Sequence, residues 1–99
     1  MHIKKLDKPG SLLKPPLSQK LKSGLVVLAP GEEVGEHVTD KREELITVLQ
    51  GDALVMVDGE EPVTVSADHV VFIPAEKKHN IKNNGNGDLK YVYTVALFN

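Results

Sequence analysis

The amino-acid sequence predicts an all-β domain, a small antiparallel β-barrel, and three observations carry that expectation. From residue 24 onward, short runs of Val, Ile and Leu alternate with turn residues at nearly even spacing, the punctuation of strands rather than of helices. Thirteen valines among 99 residues suit a pleated surface. Several runs are apolar on both faces, Leu45, Ile46, Val48 and Leu49 most clearly, as in a sandwich or barrel whose outer face is partly covered too. An open sheet of this size would leave long unpaired edges, so closure into a barrel or pairing across a homodimer is expected.

The chain opens with an arm, residues 1–22, that carries six Lys and one Asp, net +5, whereas residues 23–99 carry six basic and thirteen acidic groups, net −7. Pro9, Pro15 and Pro16 remove backbone donors and disfavour helix and central strand alike. Leu6, Leu12, Leu13, Leu17 and Leu21 are nevertheless too many apolar residues for a free tail. The expectation is an extended arm lying on the body, residues 23–99, or on a neighbouring subunit. Within the body the first strand, Leu25 to Leu28, stops at Ala29-Pro30-Gly31, and residues 31–44 read as a hairpin that turns at Asp40-Lys41-Arg42. Leu45 to Leu49 ends at Gln50-Gly51-Asp52, Ala53 to Val57 turns at Asp58-Gly59, and Val63 to Val65 turns at Ala67-Asp68. Val70 to Ile73 is stopped by Pro74; a short run from His79 to Lys82 leads into Asn83-Asn84-Gly85-Asn86-Gly87-Asp88; and Leu89 to Phe98 closes the chain.

Composition excludes whole classes of function. Twelve Lys and Arg against fourteen Asp and Glu leave a net charge of −2, without the positive excess that displaces counterions from nucleic acid. No stretch approaches the roughly 20 apolar residues of a membrane span, and Met1-His2-Ile3-Lys4-Lys5 lacks the apolar run of a secretory signal. No nucleic acid, no membrane and a cytoplasmic location are expected. One core of this size leaves no room for a second module such as a helix-turn-helix. The absence of cysteine removes disulfides, thiolate nucleophiles, Cys-ligated zinc and iron–sulfur clusters, so any metal falls to His, Asp or Glu.

Two windows carry candidate chemistry. In the first, His37 and Thr39 share a strand face because side chains alternate with period two. Glu44 opens the return strand with Ile46 and Val48 on its face, so His37 and Glu44 can meet at the end of an apolar interior, with Glu43 pointing away. A carboxylate there is costly to bury unless paired. In the second window the strand halts at Pro74 and a new one opens with His79. If His79 reaches the same interior, two imidazoles and a carboxylate with open positions result, a set that suits iron(II), manganese, nickel or zinc.

The spacing resembles the two motifs of the cupins. The first motif reads Gly, five residues, His-x-His, three or four residues, Glu, six residues, Gly; Gly31, His37, Glu44 and Gly51 stand at those intervals. The second reads Gly, five residues, Pro-x-Gly, two residues, His, three residues, Asn; Pro74, His79 and Asn83 match. The resemblance spans residues 31–83 and, through the strand pattern, continues to about residue 98. It implies a double-stranded β-helix, or jelly roll, with metal ligands from the first motif's two His and Glu and the second motif's His.

Three positions depart from the pattern. Asp68 and Glu76 replace glycines, at a cost of about 1 kcal/mol each if φ is positive there. Thr39 replaces the second histidine, and a hydroxyl is a poor ligand beside imidazole and carboxylate. The expected centre is therefore His37, Glu44 and His79 around a divalent transition metal (iron, manganese, nickel, zinc or copper), with Thr39 in the pocket as a donor behind the ligands or beside an open position. Such a protein would bind or act on a small oxygen-rich molecule such as a keto acid, sugar or phenol; isomerase, decarboxylase and dioxygenase chemistry and simple binding all remain open. The alternatives are a metal-free module that binds a sugar or carboxylate, and acid–base chemistry by a His/Glu pair. The remaining candidates have structural readings: His2 terminal, His69 in a turn, Lys77 and Lys78 solvated beside the barrel mouth, Asn83 conformational, and Phe72, Tyr91, Tyr93 and Phe98 in core or interface.

Overall fold

Eight strands form in the computed structural model, which describes residues 1–97. They are β1 Gly10–Leu13, β2 Leu21–Leu28, β3 Glu44–Gln50, β4 Asp52–Val57, β5 Val63–Ser66, β6 His69–Ile73, β7 His79–Asn83 and β8 Leu89–Ala96. Every strand pairing is antiparallel, and no helix occurs among the described residues. Among the described residues no helix is long and apolar enough to cross a membrane. Phe98, placed by sequence in the last strand, lies outside the described residues.

The strands build two sheets, one ordered β1-β2-β8-β3-β6 and the other β5-β4-β7. Period-two alternation supplies the core between them. Ile46 and Val48 on β3, Ala53 and Val55 on β4 and Leu89 and Tyr91 on β8 face inward together with Ile73 and Ile81, all at most 5% exposed. Full burial of each large aliphatic side chain contributes about 1.5–3 kcal/mol. The molecule is thus the expected jelly roll, but two facing sheets take the place of one continuous hydrogen-bonded barrel. Three of the four sheet edges are blunted without closure. β1 and β5 have four residues each, β1 carries a register shift, and the free edge of β7 is covered by residues 31–37.

That covering segment is where the expected hairpin differs from the fold. Residues 31–37 run antiparallel to β7 with only isolated bridges, Glu33 to Lys82 and His37 to His79. A continuous ladder does not form because the side chain of Asn80 serves part of the backbone: its Oδ1 accepts from the Gly35 amide at 2.9 Å. The chain then turns at Asp40-Lys41, within the polar turn expected from sequence, with Arg42 N–H donating to the Thr39 carbonyl at 3.0 Å, but Val38 and Thr39 before it do not form strand. At the other end of the body, Gly10–Leu13 add to β2, and Lys90 Nζ donates to the Leu6 carbonyl at 2.8 Å. β2 itself pairs with β8 over its whole length from Leu21 to Leu28, so it crosses residues 22 and 23, where the sequence places the junction of arm and body.

Candidate metal centre and its pocket

Backbone pairing brings the two histidines together before their side chains are considered. His37 N–H donates to the His79 carbonyl at 3.0 Å and His79 N–H returns to the His37 carbonyl at 2.9 Å. Such a doubly bonded antiparallel pair sets both side chains on one face, and the rings lie with centroids 4.2 Å apart. Asn80, buried beside them, reinforces this placement through Gly35. Glu44 arrives from the opposite sheet, first residue of β3, in register with Ile73 and Val95. One ligand atom from each of His37, Glu44 and His79 lies within 4.8 Å of the others. Glu44 and His79 are buried, and His37 is the most accessible of the three.

The outer nitrogens of both rings are already committed. His37 Nδ1 is 2.9 Å from the Gly35 carbonyl, and His79 Nδ1 is 2.9 Å from the Lys77 carbonyl. A carbonyl oxygen can only accept, so each Nδ1 carries the proton and each ring offers Nε2 to the interior. This is the arrangement in which carbonyl partners orient metal-ligating imidazoles. His79 Nε2 meets Glu44 Oε1 at 3.1 Å. Two acceptors do not tolerate that approach without a cation or a proton between them. Without metal, the hydrogen bond to Glu44 raises the His79 pKa above 6.5, helped by the Lys77 carbonyl and the Glu44 charge and opposed by burial. A divalent ion fits the same place, so the donor set of two imidazole nitrogens and one carboxylate is chemically suited to it.

Beside the centre opens a pocket of about 380 Å³ that reaches His37, Thr39 and Glu44. Thr39 Oγ1 donates to the Arg42 carbonyl at 2.9 Å, closing the turn of residues 39–42. Its hydroxyl is thereby engaged, and the side of the centre where the cupin pattern has a histidine faces the pocket. Tyr91 and Tyr93, alternate residues of β8, form part of the wall. Burial, with the Glu44 and then the Tyr93 charge, pushes the Tyr91 phenol above its ordinary 10.0, so it keeps its proton at neutral pH. Gly24 makes room for the other ring: a Cβ there would come within 2.5 Å of Tyr93 Cε2 and Oη.

Other sequence candidates lie elsewhere. Asn83 is buried and donates from Nδ2 to the Leu28 and Gly87 carbonyls, both at 2.8 Å, which pins the turn before β8. His69 is exposed, with Nδ1 bonded to the Ser66 and Ala67 carbonyls of its own turn. Lys78 borders a separate groove with Glu36, Asp58 and His79. The cations that do line the pocket are Lys22 and Arg42, which sequence reading placed in the arm and in a polar turn. The period-two spacing of Lys22, Gly24 and Val26 is the signal for a shared inward face.

Comparison with known proteins assigns the family and the fold. The family model described as Cupin domain matches residues 24–95, and the chain belongs to that family. It is 33% identical over 73 residues to the tetracenomycin polyketide synthase protein TcmJ of Streptomyces glaucescens, covering 74% of this chain and 48% of that protein. It is 31% identical over 70 residues to an oxalate-binding protein of Thermotoga maritima, covering 71% of this chain and 57% of the relative. The chain therefore spans about half the length of the curated relatives it matches. Among solved structures, TT1209 from Thermus thermophilus superposes with a TM-score of 0.84 at 22% identity, covering 98% of each chain, a likeness of fold.

Proposed function

We propose that this cupin is a small metalloprotein holding a divalent transition metal (iron, manganese, nickel, zinc or copper) through His37, Glu44 and His79, and binding or acting on a small oxygen-rich molecule in the adjoining pocket. The observation that carries this reading is the pair of imidazoles whose Nδ1 protons are tied to the Gly35 and Lys77 carbonyls, which leaves both Nε2 atoms beside the Glu44 carboxylate. When bound, the ion supplies Lewis acidity toward a ligand oxygen. The chain's own residues orient the donors, keep water from the His79 side, and present Tyr91 as a neutral phenol to the pocket. The oxalate-binding relative supports a small-ligand role. Exposed Leu45, Val70 and Phe72, neighbours on the outer face of β3 and β6, are consistent with the expected homodimer.

A metal-free binding module is the second reading, favoured by one observation: the His79–Glu44 hydrogen bond satisfies both groups without an ion once His79 is protonated. Elemental analysis of the untagged protein purified without chelator separates the two, with the His37→Ala/His79→Ala variant alongside. Near-stoichiometric metal in the unaltered protein and none in the variant is the expected result. Metal retained by the variant, or no uptake of added metal by the unaltered protein, overturns the metalloprotein reading.

A further inference from the structure

The pocket combines features that define the chemistry of its ligand more narrowly than an oxygen-rich molecule. Lys22 and Arg42 both line it, and neither has a carboxylate partner within 4.0 Å among the described residues. Glu44 is committed to the centre with His37 and His79, which leaves Lys22 and Arg42 facing the single carboxylate of Asp40 in the lining, an excess of one positive charge. An anion is the ligand that completes this balance, and a guanidinium offers it paired donors. The remaining wall is apolar: Val26, Val34, Val38, Ile81 and Val95, with the two tyrosine rings. A bare dianion such as oxalate would leave that wall in contact with water, whereas a hydrocarbon body would cover it.

We propose that the ligand of this pocket is a monocarboxylate with an apolar body, such as a branched 2-oxo acid, its anionic head drawn by Lys22 and Arg42 and its hydrocarbon packed on the valines of β2 and the 31–38 segment. This inference rests on the pocket reading above and narrows it. It orders affinities. Each additional buried methylene tightens binding by about fourfold, so a branched six-carbon 2-oxo acid binds at least about tenfold more tightly than pyruvate, and oxalate gains nothing from the wall. Loss of one charged contact weakens the acid by about tenfold or more.

The test is calorimetric titration of the full chain, first with zinc or manganese and then, on the same sample, with 4-methyl-2-oxopentanoate, pyruvate, oxalate and the neutral ketone 4-methyl-2-pentanone. Tyr91 and Tyr93 are the only tyrosines and tryptophan is absent, so a change in tyrosine emission locates the ligand in this pocket. The expected result is tightest binding of 4-methyl-2-oxopentanoate, a change in tyrosine emission, and an about tenfold loss in Lys22→Gln and in Arg42→Gln with ketone binding unchanged. Both variants are surface changes whose folding is checked by their Tm. Metal uptake followed by oxalate binding as tightly as the branched acid, or an unaltered affinity in both variants, overturns the proposal and leaves the metal reading standing. No metal uptake overturns the metal reading alone if the branched acid still binds through Arg42, and both readings if it does not.

Discussion

The two glycines that bracket the first motif occupy the same backbone region for different reasons, and their alanine variants separate those reasons. Gly31 has φ of 86° and Gly51 has φ of 82°. A side chain in the left-handed region costs about 1–2 kcal/mol, of which about 0.4–1 kcal/mol is returned by the stiffer unfolded chain. A Cβ on Gly31 would meet nothing within 4 Å, so Gly31→Ala loses about 1 kcal/mol and no more. A Cβ on Gly51 would lie 2.6 Å from the Asp88 carbonyl oxygen and 3.2 Å from Leu89 Cα. That backbone cannot retreat, because Leu89 is fully buried and paired with Leu28. Overpacking of this kind adds about 1–3 kcal/mol, which brings Gly51→Ala to about 2–4 kcal/mol. For a domain of this length the difference corresponds to roughly 4–8 °C in Tm per kcal/mol. Urea denaturation followed by circular dichroism, with m unchanged between variants, measures it. Equal losses in the two variants, or a larger loss at Gly31, would refute the assignment of Gly51 to steric contact with the β7–β8 turn.

Three further outcomes are expected. In metal-free protein the raised His79 pKa contributes stability that is fully present below pH 6.5 and is lost as pH rises through the folded-state value. Metal must displace the same proton, so thermal melts from pH 5.5 to 8.5 show metal-free Tm falling and the metal-induced Tm increment growing; parallel curves would contradict the shared site. Thr39→His gives up the hydrogen bond to the Arg42 carbonyl, at about 1 kcal/mol of stability, and adds an imidazole facing the centre. Its metal affinity, measured by competition with a chromophoric chelator, rises by more than the about tenfold that groups hydrogen-bonded to ligands contribute, and no change would mean that the side chain of residue 39 does not reach the other donors. Glu76 sits at φ of 64°, so Glu76→Gly relieves about 1–2 kcal/mol of strain against about 0.4–1 kcal/mol of unfolded-state entropy; a Tm a few degrees higher is expected, and a lower one would show that the Glu76 side chain has a stabilising role.

The legible part of the molecule was its strand punctuation and the motif spacing. His37, Glu44 and His79 could be read as one group because each stands at a strand start or bridge that a Gly, Pro or polar turn announces. The positive φ at Asp68 and Glu76, 68° and 64°, follows the two glycine positions of the second motif. The turn at Asp40-Lys41 was legible from its polar residues, but the departure of Val38 and Thr39 from the strand was not, since they have the alternation of a strand and only tertiary bonds, Glu76 N–H to the Asp40 carbonyl among them, bend them away. Lys22 and Arg42 were missed for a related reason. Their meeting at one pocket depends on β2 lying against β8 and β8 against β3, pairings between residues distant in sequence that no local window reports.

The segment between β2 and β3 has no strand of its own, and it is attached to β7 by five backbone–backbone hydrogen bonds, from Gly31, Val34 and His37 amides outward and from His79 and Asn83 amides inward, besides the Gly35 bond to the Asn80 side chain. Such a strap opens without unfolding the sheets, because the apolar core lies behind it in other elements. An ion held by His37 on the strap, His79 on β7 and Glu44 on β3 would rivet the strap to both sheets at once. Amide exchange at Val34 and His37 then becomes a local gauge of occupancy, slowing on metal loading while amides of β4 and β5 keep their rates. The same rivet makes departure of the strap and departure of the ion a single event, so the lifetime of the loaded site is set by how often fifteen residues of loop let go, rather than by bond strength at the metal alone.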